Sequence, residues 1–321
     1  MVGKVTSSQK PSASVLPAIM GYSPYDTPLT ILNRAIQCVD QGVDRLPEDR
    51  PQSLPAAVGD FMEDFILEKS AIRLGVANLV TDHPDPYHYQ ELLSCSLDGT
   101  AEGGGLVIKH DPSQGIYVMS EDNEIELIGT GVVEAKSTRI PPQDAPDLFR
   151  GPIQLQGQLL CTGHSWGAVC TMYQGSELRI FLYRRDENVI NDIIKSCSDF
   201  LRRVETRDLY PALSPTEAVR KYPEPMSPKK VITATEALQA DINQLAHIRS
   251  ELKAYQQLAE DLQLDIMNTM EDASECLAGA YRVVWPVRNI KAKPEQVKTI
   301  PAVEAHQQRG KVLKIEDLKG K

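Results

Sequence analysis

The sequence predicts an α/β fold, a mixed central sheet flanked by helices, with a C-terminal long-helix extension. Three observations predict it. Segments of helical periodicity alternate with short apolar runs of strand length between about residues 57 and 204. A proline-rich stretch, with Pro211, Pro215, Pro223, Pro225 and Pro228, then interrupts all periodicity. Beyond it a sustained three-and-four spacing of apolar residues marks one long helix. The predicted organisation is a domain over residues 1–205, a linker over 206–232, and an extension over 233–321.

Each element follows from local chemistry. Ser12 or Ser14 is a candidate helix cap, followed by a short apolar turn and a Gly21-Tyr22-Ser23-Pro24-Tyr25 loop that launches a helix near Pro28. Residues 40–56 are polar and proline-rich, hence a loop. Ala57 to Val76 is predicted helical, with Val58, Phe61, Phe65, Ile66, Ile72 and Leu74 as its apolar positions and Glu63 and Glu68 among them. Short strands are predicted at Leu92–Leu97, Gly105–Lys109, Gly115–Ser120, Ile125–Ile128 and Gly131–Lys136. A helix over Pro152–Thr162, strands over Ala168–Tyr173 and Glu177–Arg184, and an amphipathic helix over Asn188–Val204 complete the first domain. In the extension, Leu245, Ile248, Leu252, Tyr255, Ala259, Leu262 and Ile266 form a heptad stripe along a helix from Thr233 to Met270. That stripe either packs on its own domain or drives self-association. Tyr281–Val287 is a predicted strand holding Trp285, and the remainder is a polar tail.

Composition narrows the function classes. The chain has 321 residues, 41% hydrophobic and 24% charged, ordinary for a globular protein. No apolar run approaches the roughly 18 residues of a membrane span. The polar first ten residues carry no signal-peptide core, so a cytoplasmic location is expected, with no membrane association. Six scattered cysteines without a C-x-x-C pair, and histidines without ligand spacing, argue against zinc or iron–sulfur sites. The net charge of −10 lowers the expectation of a pure nucleic-acid-binding module. From Val287 to Lys321 the balance reverses, with nine Lys/Arg against four Asp/Glu.

The chemistry is concentrated in two segments, Ser96-Leu97-Asp98-Gly99 and Gly131-Val132-Val133-Glu134-Ala135-Lys136. On a strand, Glu134 and Lys136 project from one face. With a second carboxylate arriving from another strand, they can hold a divalent ion through oxygen ligands beside a cationic side chain. Such a site can activate water against a phosphodiester.

Four motifs occur in order. They are Ser14 with Met20-Gly21-Tyr22-Ser23-Pro24-Tyr25-Asp26-Thr27-Pro28, Gly59-Asp60-Phe61-Met62-Glu63, the Asp98 and Glu134-Ala135-Lys136 strands, and Gln154-Leu155-Gln156. Over roughly residues 10–205 this series resembles the YqaJ-like viral recombinases, the lambda-type phage exonucleases of the PD-(D/E)XK nuclease superfamily. The resemblance implies a restriction-endonuclease-like core and a Mg²⁺- or Mn²⁺-dependent exonuclease. It implies digestion of double-stranded DNA ends from 5′ to 3′, leaving 3′ single strands for an annealing protein in phage-type homologous recombination. It also implies a homo-oligomer, a ring-shaped trimer in lambda-type relatives. Residue by residue, it makes Asp98, Glu134 and the Ala135 carbonyl metal ligands, with Glu63 a further one. Lys136 positions the water, Gln156 orients it (Gln154 and Gln158 being the alternatives on the same helix), and Ser14 meets a terminal 5′-phosphate. The pattern departs where an arginine is expected seven residues before Ser14. Ser7 stands there, with Lys4 or Lys10 as possible substitutes. The long interval between Asp98 and Glu134 predicts an inserted β-hairpin over 100–128. The alternatives are a structure-specific endonuclease of the same superfamily and a non-catalytic recombination scaffold docking through the heptad helix.

Overall fold

The structure, a computed structural model, describes residues 6–47, 54–222 and 231–286. The chain divides into two compact units at Leu213/Ser214, inside the stretch predicted as linker.

The first unit begins with a one-turn 3-10 segment over Ala13–Val15, running directly into α1 (Leu16–Ile19). Ser12 stands at its cap position, yet its hydroxyl makes no capping bond and lies 3.1 Å from the Ser14 hydroxyl. Next come α2 (Pro28–Gln41) and α3 (Leu54–Leu74). Thr27 caps α2, its hydroxyl accepting from the Thr30 amide at 3.2 Å, and Pro28 sits where no amide is required. The strands follow as β1 (Ala77–Val80), β2 (Tyr87–Tyr89), β3 (Leu93–Cys95), β4 (Gly99–Glu102), β5 (Leu106–Lys109), β6 (Ile116–Val118), β7 (Glu124–Leu127) and β8 (Thr130–Thr138). Then come α4 (Pro152–Thr162), β9 (Trp166–Tyr173), β10 (Glu177–Arg184) and α5 (Glu187–Thr206).

The central sheet has six strands in the order β1-β4-β8-β9-β10-β6. It is mixed: β8 runs parallel to β9 and β6 to β10, while β4–β8 and β9–β10 are antiparallel. Alternation of side chains along β8 sends Val132 into a core with Leu155 and Leu159 of α4 and Ile190, Ile193 and Cys197 of α5. Val133 goes to the opposite face, with Ile66, Leu67 and Leu74 of α3. The sheet is therefore sandwiched between helices, as the α/β expectation required.

Several expectations are corrected. The 100–128 segment is not a simple inserted hairpin. Its first residues form β4 in the central sheet, β5 and β7 pair as a separate ribbon, and β6 returns as the sheet's edge strand. All three β6 residues are buried, which a one-faced insertion would not allow. The Leu92–Leu97 strand shrinks to β3, which pairs with β2 outside the central sheet. On α3 the buried positions include Ile66, Leu67, Ala71 and Leu74, whereas Phe61 and Ile72 are 84% and 67% exposed. Apolar residues there exceed what one face can bury, and the periodicity of the sequence does not say which stripe meets the sheet.

The second unit contains α6 (Pro215–Lys221), within the stretch predicted as linker, then α7 (Glu236–Met270) and a hairpin of β11 (Glu275–Ala278) and β12 (Tyr281–Val284). Thr235 caps α7 through the Leu238 amide at 3.3 Å. Ile248, Leu252, Tyr255, Leu262 and Ile266 of the heptad stripe are exposed. Trp285 follows β12 rather than lying in it, and the basic tail from Val287 and Lys4 are outside the described residues. Among the described residues no helix is long and apolar enough to cross a membrane.

Candidate active site

β4 pairs with β8 only as far as Gly99 against Val133. Beyond that point the two strands part, and the backbone of Ala135 is released from the β4 ladder. Asp98, the residue just before β4, fills the place of the missing strand partner. The Ala135 amide donates to Asp98 Oδ2 at 2.9 Å. In an extended strand the N–H and C=O of one residue point to the same side. The Ala135 carbonyl therefore faces the same side as Asp98.

Glu134 is 1% exposed, and both oxygens of its carboxylate accept hydrogen bonds. Oε1 accepts from Lys136 Nζ and from Gln154 Nε2, the latter at 2.5 Å. Oε2 accepts from Gln158 Nε2 at 2.6 Å. Lys136 Nζ also donates to Gln154 Oε1 at 3.2 Å, so lysine, glutamate and glutamine form a closed triangle. Glu63, half-buried on α3, is close enough to act electrostatically on both Asp98 and Lys136.

Electrostatics reflect the crowding. Withdrawal from water, then the Glu134 charge, hold the Asp98 carboxyl well above the usual carboxylate range, against the opposing pull of Lys136. Burial alone would lower the Lys136 ammonium, but Glu134 and Asp98 overcome it and raise it. Lys136 therefore stays a cation at neutral pH, unsuited to act as a base but suited to hold an anion.

Gln156 is not brought to the Glu134 carboxylate. Residues on α4 advance by about 100° each, so Gln154 and Gln158 share a face and Gln156 points elsewhere. Its Nε2 donates to the Arg184 carbonyl at 2.8 Å, and its Oε1 accepts from the Asp186 amide at 3.0 Å. Asp186 in turn caps α5, so Gln156 fastens α4 to the β10–α5 corner. Gln154 and Gln158 are the amides at the carboxylates. Their i,i+4 spacing was the available signal, but the motif alone does not fix helical phase.

Ser14 is exposed and lines one cavity of about 320 Å³ together with Lys136, Gln154, Thr138 and Arg150. A motif residue separated from Lys136 by more than a hundred positions is thus brought to the same opening. A neighbouring cavity shares Ser14 and is lined by Lys10, Arg34 and Arg45. Lys10 is also ion-paired with Glu91.

The donor set suits a hard divalent cation. Two carboxylates and a backbone carbonyl could supply oxygen ligands to one. Gln158 Oε1 is buried without a hydrogen-bond partner. Among the described residues no group of three or more His, Cys, Asp or Glu side chains is placed to hold a metal ion.

The structure is similar to that of an alkaline exonuclease, LHK-Exo, from Laribacter hongkongensis, at 16% identity and a TM-score of 0.43, over 62% of this chain and 89% of that one. LHK-Exo in complex with dAMP gives 17% identity, a TM-score of 0.41 and the same shares of both chains. A phage-related exonuclease from Haemophilus somnus 129PT gives 11% and 0.40, over 62% and 96%. No family model matches the chain, and no curated protein does. At these identities and scores the likenesses carry no functional weight, and function is argued from the residues.

Proposed function

We propose that this chain is a divalent-metal-dependent deoxyribonuclease, an exonuclease acting on the ends of double-stranded DNA. What supports it most is one juxtaposition: Asp98, Glu134, the Ala135 backbone, Lys136 and Gln154 meet beside a cavity that also holds Ser14. Asp98, Glu134 and the Ala135 carbonyl would hold Mg²⁺ or Mn²⁺, with Glu63 a further oxygen donor. When bound, the ion supplies Lewis acidity and a nucleophilic water at neutral pH.

The chain's own residues do the rest. Lys136, held cationic by its two carboxylates, donates to the phosphate oxygen on which charge accumulates. Gln154 fixes that ammonium and can pass its amide hydrogen bond to the attacking water. Gln158 keeps the Glu134 carboxylate in one orientation. Ser14, with Arg150 across the cavity, would receive a terminal 5′-phosphate. Arg150 offers the planar guanidinium that Ser7 cannot, in a way Lys10 would not match.

The finer features belong to the same proposal and come with the motif resemblance. They are 5′-to-3′ digestion, a 3′ single strand handed to an annealing protein in phage-type recombination, and a ring-shaped trimer around DNA. The test is digestion of a linear duplex labelled separately at each 5′ and 3′ end, with Mg²⁺ and with EDTA, beside a covalently closed circle. Loss of the 5′ label first, with metal only and never on the circle, is expected. Cutting of the circle would make the enzyme an endonuclease, and no cutting at all would leave a scaffold.

A further inference from the structure

The Gly21–Tyr25 loop has no part in the chemistry above, yet it is built rigidly. The amides of Tyr22 and Ser23 both donate to the Pro17 carbonyl, at 2.8 and 3.0 Å. The Ser23 hydroxyl accepts from the amides of Tyr25 and Asp26, at 3.2 and 3.3 Å, and two residues on Thr27 caps α2. So fastened, the loop nevertheless sends Tyr25 into solvent, with 76% of the residue exposed. A large aromatic side chain held outward by a tied loop serves no core.

Among the described residues its ring neighbour is Phe149, in the turn before α4. The ring centroids are 5.8 Å apart at an interplanar angle of 76°, an edge contact. Edge packing orients the tyrosine while leaving ring face open. The Arg150 guanidinium carbon lies 4.7 Å from the Phe149 ring centroid, and Arg150 is further tied to Asp147 at 3.2 Å. Tyr25, Phe149 and Arg150 line the same cavity as Ser14, Lys136 and Gln154. One cavity thus offers cationic and hydroxyl groups for a phosphate together with an oriented aromatic surface. A nucleotide has that same division, an anionic phosphate and a flat base with two π faces.

We infer that Tyr25, braced by Phe149, is a stacking shelf for the nucleobase of the terminal nucleotide, whose 5′-phosphate lies at Ser14 and whose bond to the next nucleotide lies at Lys136. This rests on the nuclease proposal and adds to it. The shelf would be tolerant of sequence, since every base has a π face, and would hold the end of one strand apart from its complement. Tyr25 would be a positioning residue, with no bond to the reacting atoms.

The experiment uses the full chain with Ca²⁺ in place of Mg²⁺ and a duplex carrying either a normal or an abasic 5′-terminal nucleotide. Binding is followed by fluorescence anisotropy. Tyr25→Ala should weaken binding of the normal end by about tenfold, whereas Tyr25→Phe should bind as wild type. On the abasic end Tyr25→Ala and wild type should bind alike. A terminal 5-iodouracil should photocross-link to Tyr25 or Phe149. Since Tyr25 is exposed, unfolding temperatures of both variants should match wild type. Equal loss on normal and abasic ends, or a cross-link elsewhere, would overturn the shelf while leaving the nuclease proposal standing. A chain that binds no DNA end would overturn both.

Discussion

At the scale of single residues, the account turns on which groups face Glu134. A buried carboxylate needs hydrogen-bond partners, and here Lys136, Gln154 and Gln158 supply three, leaving a lone pair on Oε2 open. Two glutamines two positions away from Gln156 thereby acquire different fates from it. Gln154→Ala and Gln158→Ala should each lower the rate of DNA hydrolysis by about ten- to a hundredfold. Gln156→Ala should leave the rate near wild type but cost about 1–2 kcal/mol of stability, because the Arg184 carbonyl and Asp186 amide lose a partner. Steady-state rates beside thermal unfolding would separate the two effects. Asp98 gives a pH prediction. Its carboxyl is raised in the folded protein, so the folded state binds more protons than the unfolded one. In EDTA, its contribution to stability is present below the ordinary carboxylate value and is lost as pH rises through the raised one. Asp98→Asn should flatten that part of the stability–pH curve, as followed by denaturant midpoints. Divalent metal must displace the same proton, so metal affinity of the wild type should increase with pH over the same window.

At the scale of elements, the site depends on β8 lying close against β9. Gly131 permits this, since a Cβ there would come within 2.2–2.5 Å of the buried Trp166 ring. Gly131→Ala should destabilise the protein by about 1–3 kcal/mol. It should also depress hydrolysis, because Glu134 lies three residues further along the same strand. Thermal unfolding and rate measured together would check both. Much of this level was legible in the sequence. Period-two spacing located Glu134 and Lys136 on one face of β8, and α4 and β10 have their predicted bounds. What was illegible has physical causes. β1 and β4 are short and compositionally plain, since their pairing is set by neighbours rather than by propensity. The phase of α4 comes from packing Leu155 and Leu159 into the core, which no motif states. Ser14 was legible as a motif, but its place beside Lys136 required the fold.

At the scale of the whole molecule, two features of the sequence remain prominent. The net charge of −10 sits uneasily with a polyanionic substrate, yet Lys10, Arg34 and Arg45 gather at the cavity that shares Ser14. Local charge, rather than the total, governs contact with a backbone at physiological salt, where the Debye length is about 8 Å. The α7 stripe was predicted to pack on its own domain or to self-associate, and its apolar residues are exposed. A regular heptad over this length favours a helical partner. Self-association through α7 predicts that Leu252→Glu together with Leu262→Glu lowers the mass found by sedimentation equilibrium, while α7-independent assembly would leave it unchanged.

The most direct test of the central claim is the initial rate of hydrolysis of linear duplex DNA by Lys136→Ala beside wild type, in Mg²⁺. Lys136 is part-exposed, and Gln154 and Gln158 still hold the Glu134 carboxylate once it is truncated. The account predicts a loss of at least about a hundredfold in rate, with circular dichroism unchanged. Equal rates from the two proteins would contradict it, and would place whatever activity the chain has elsewhere than at Asp98, Glu134 and Lys136.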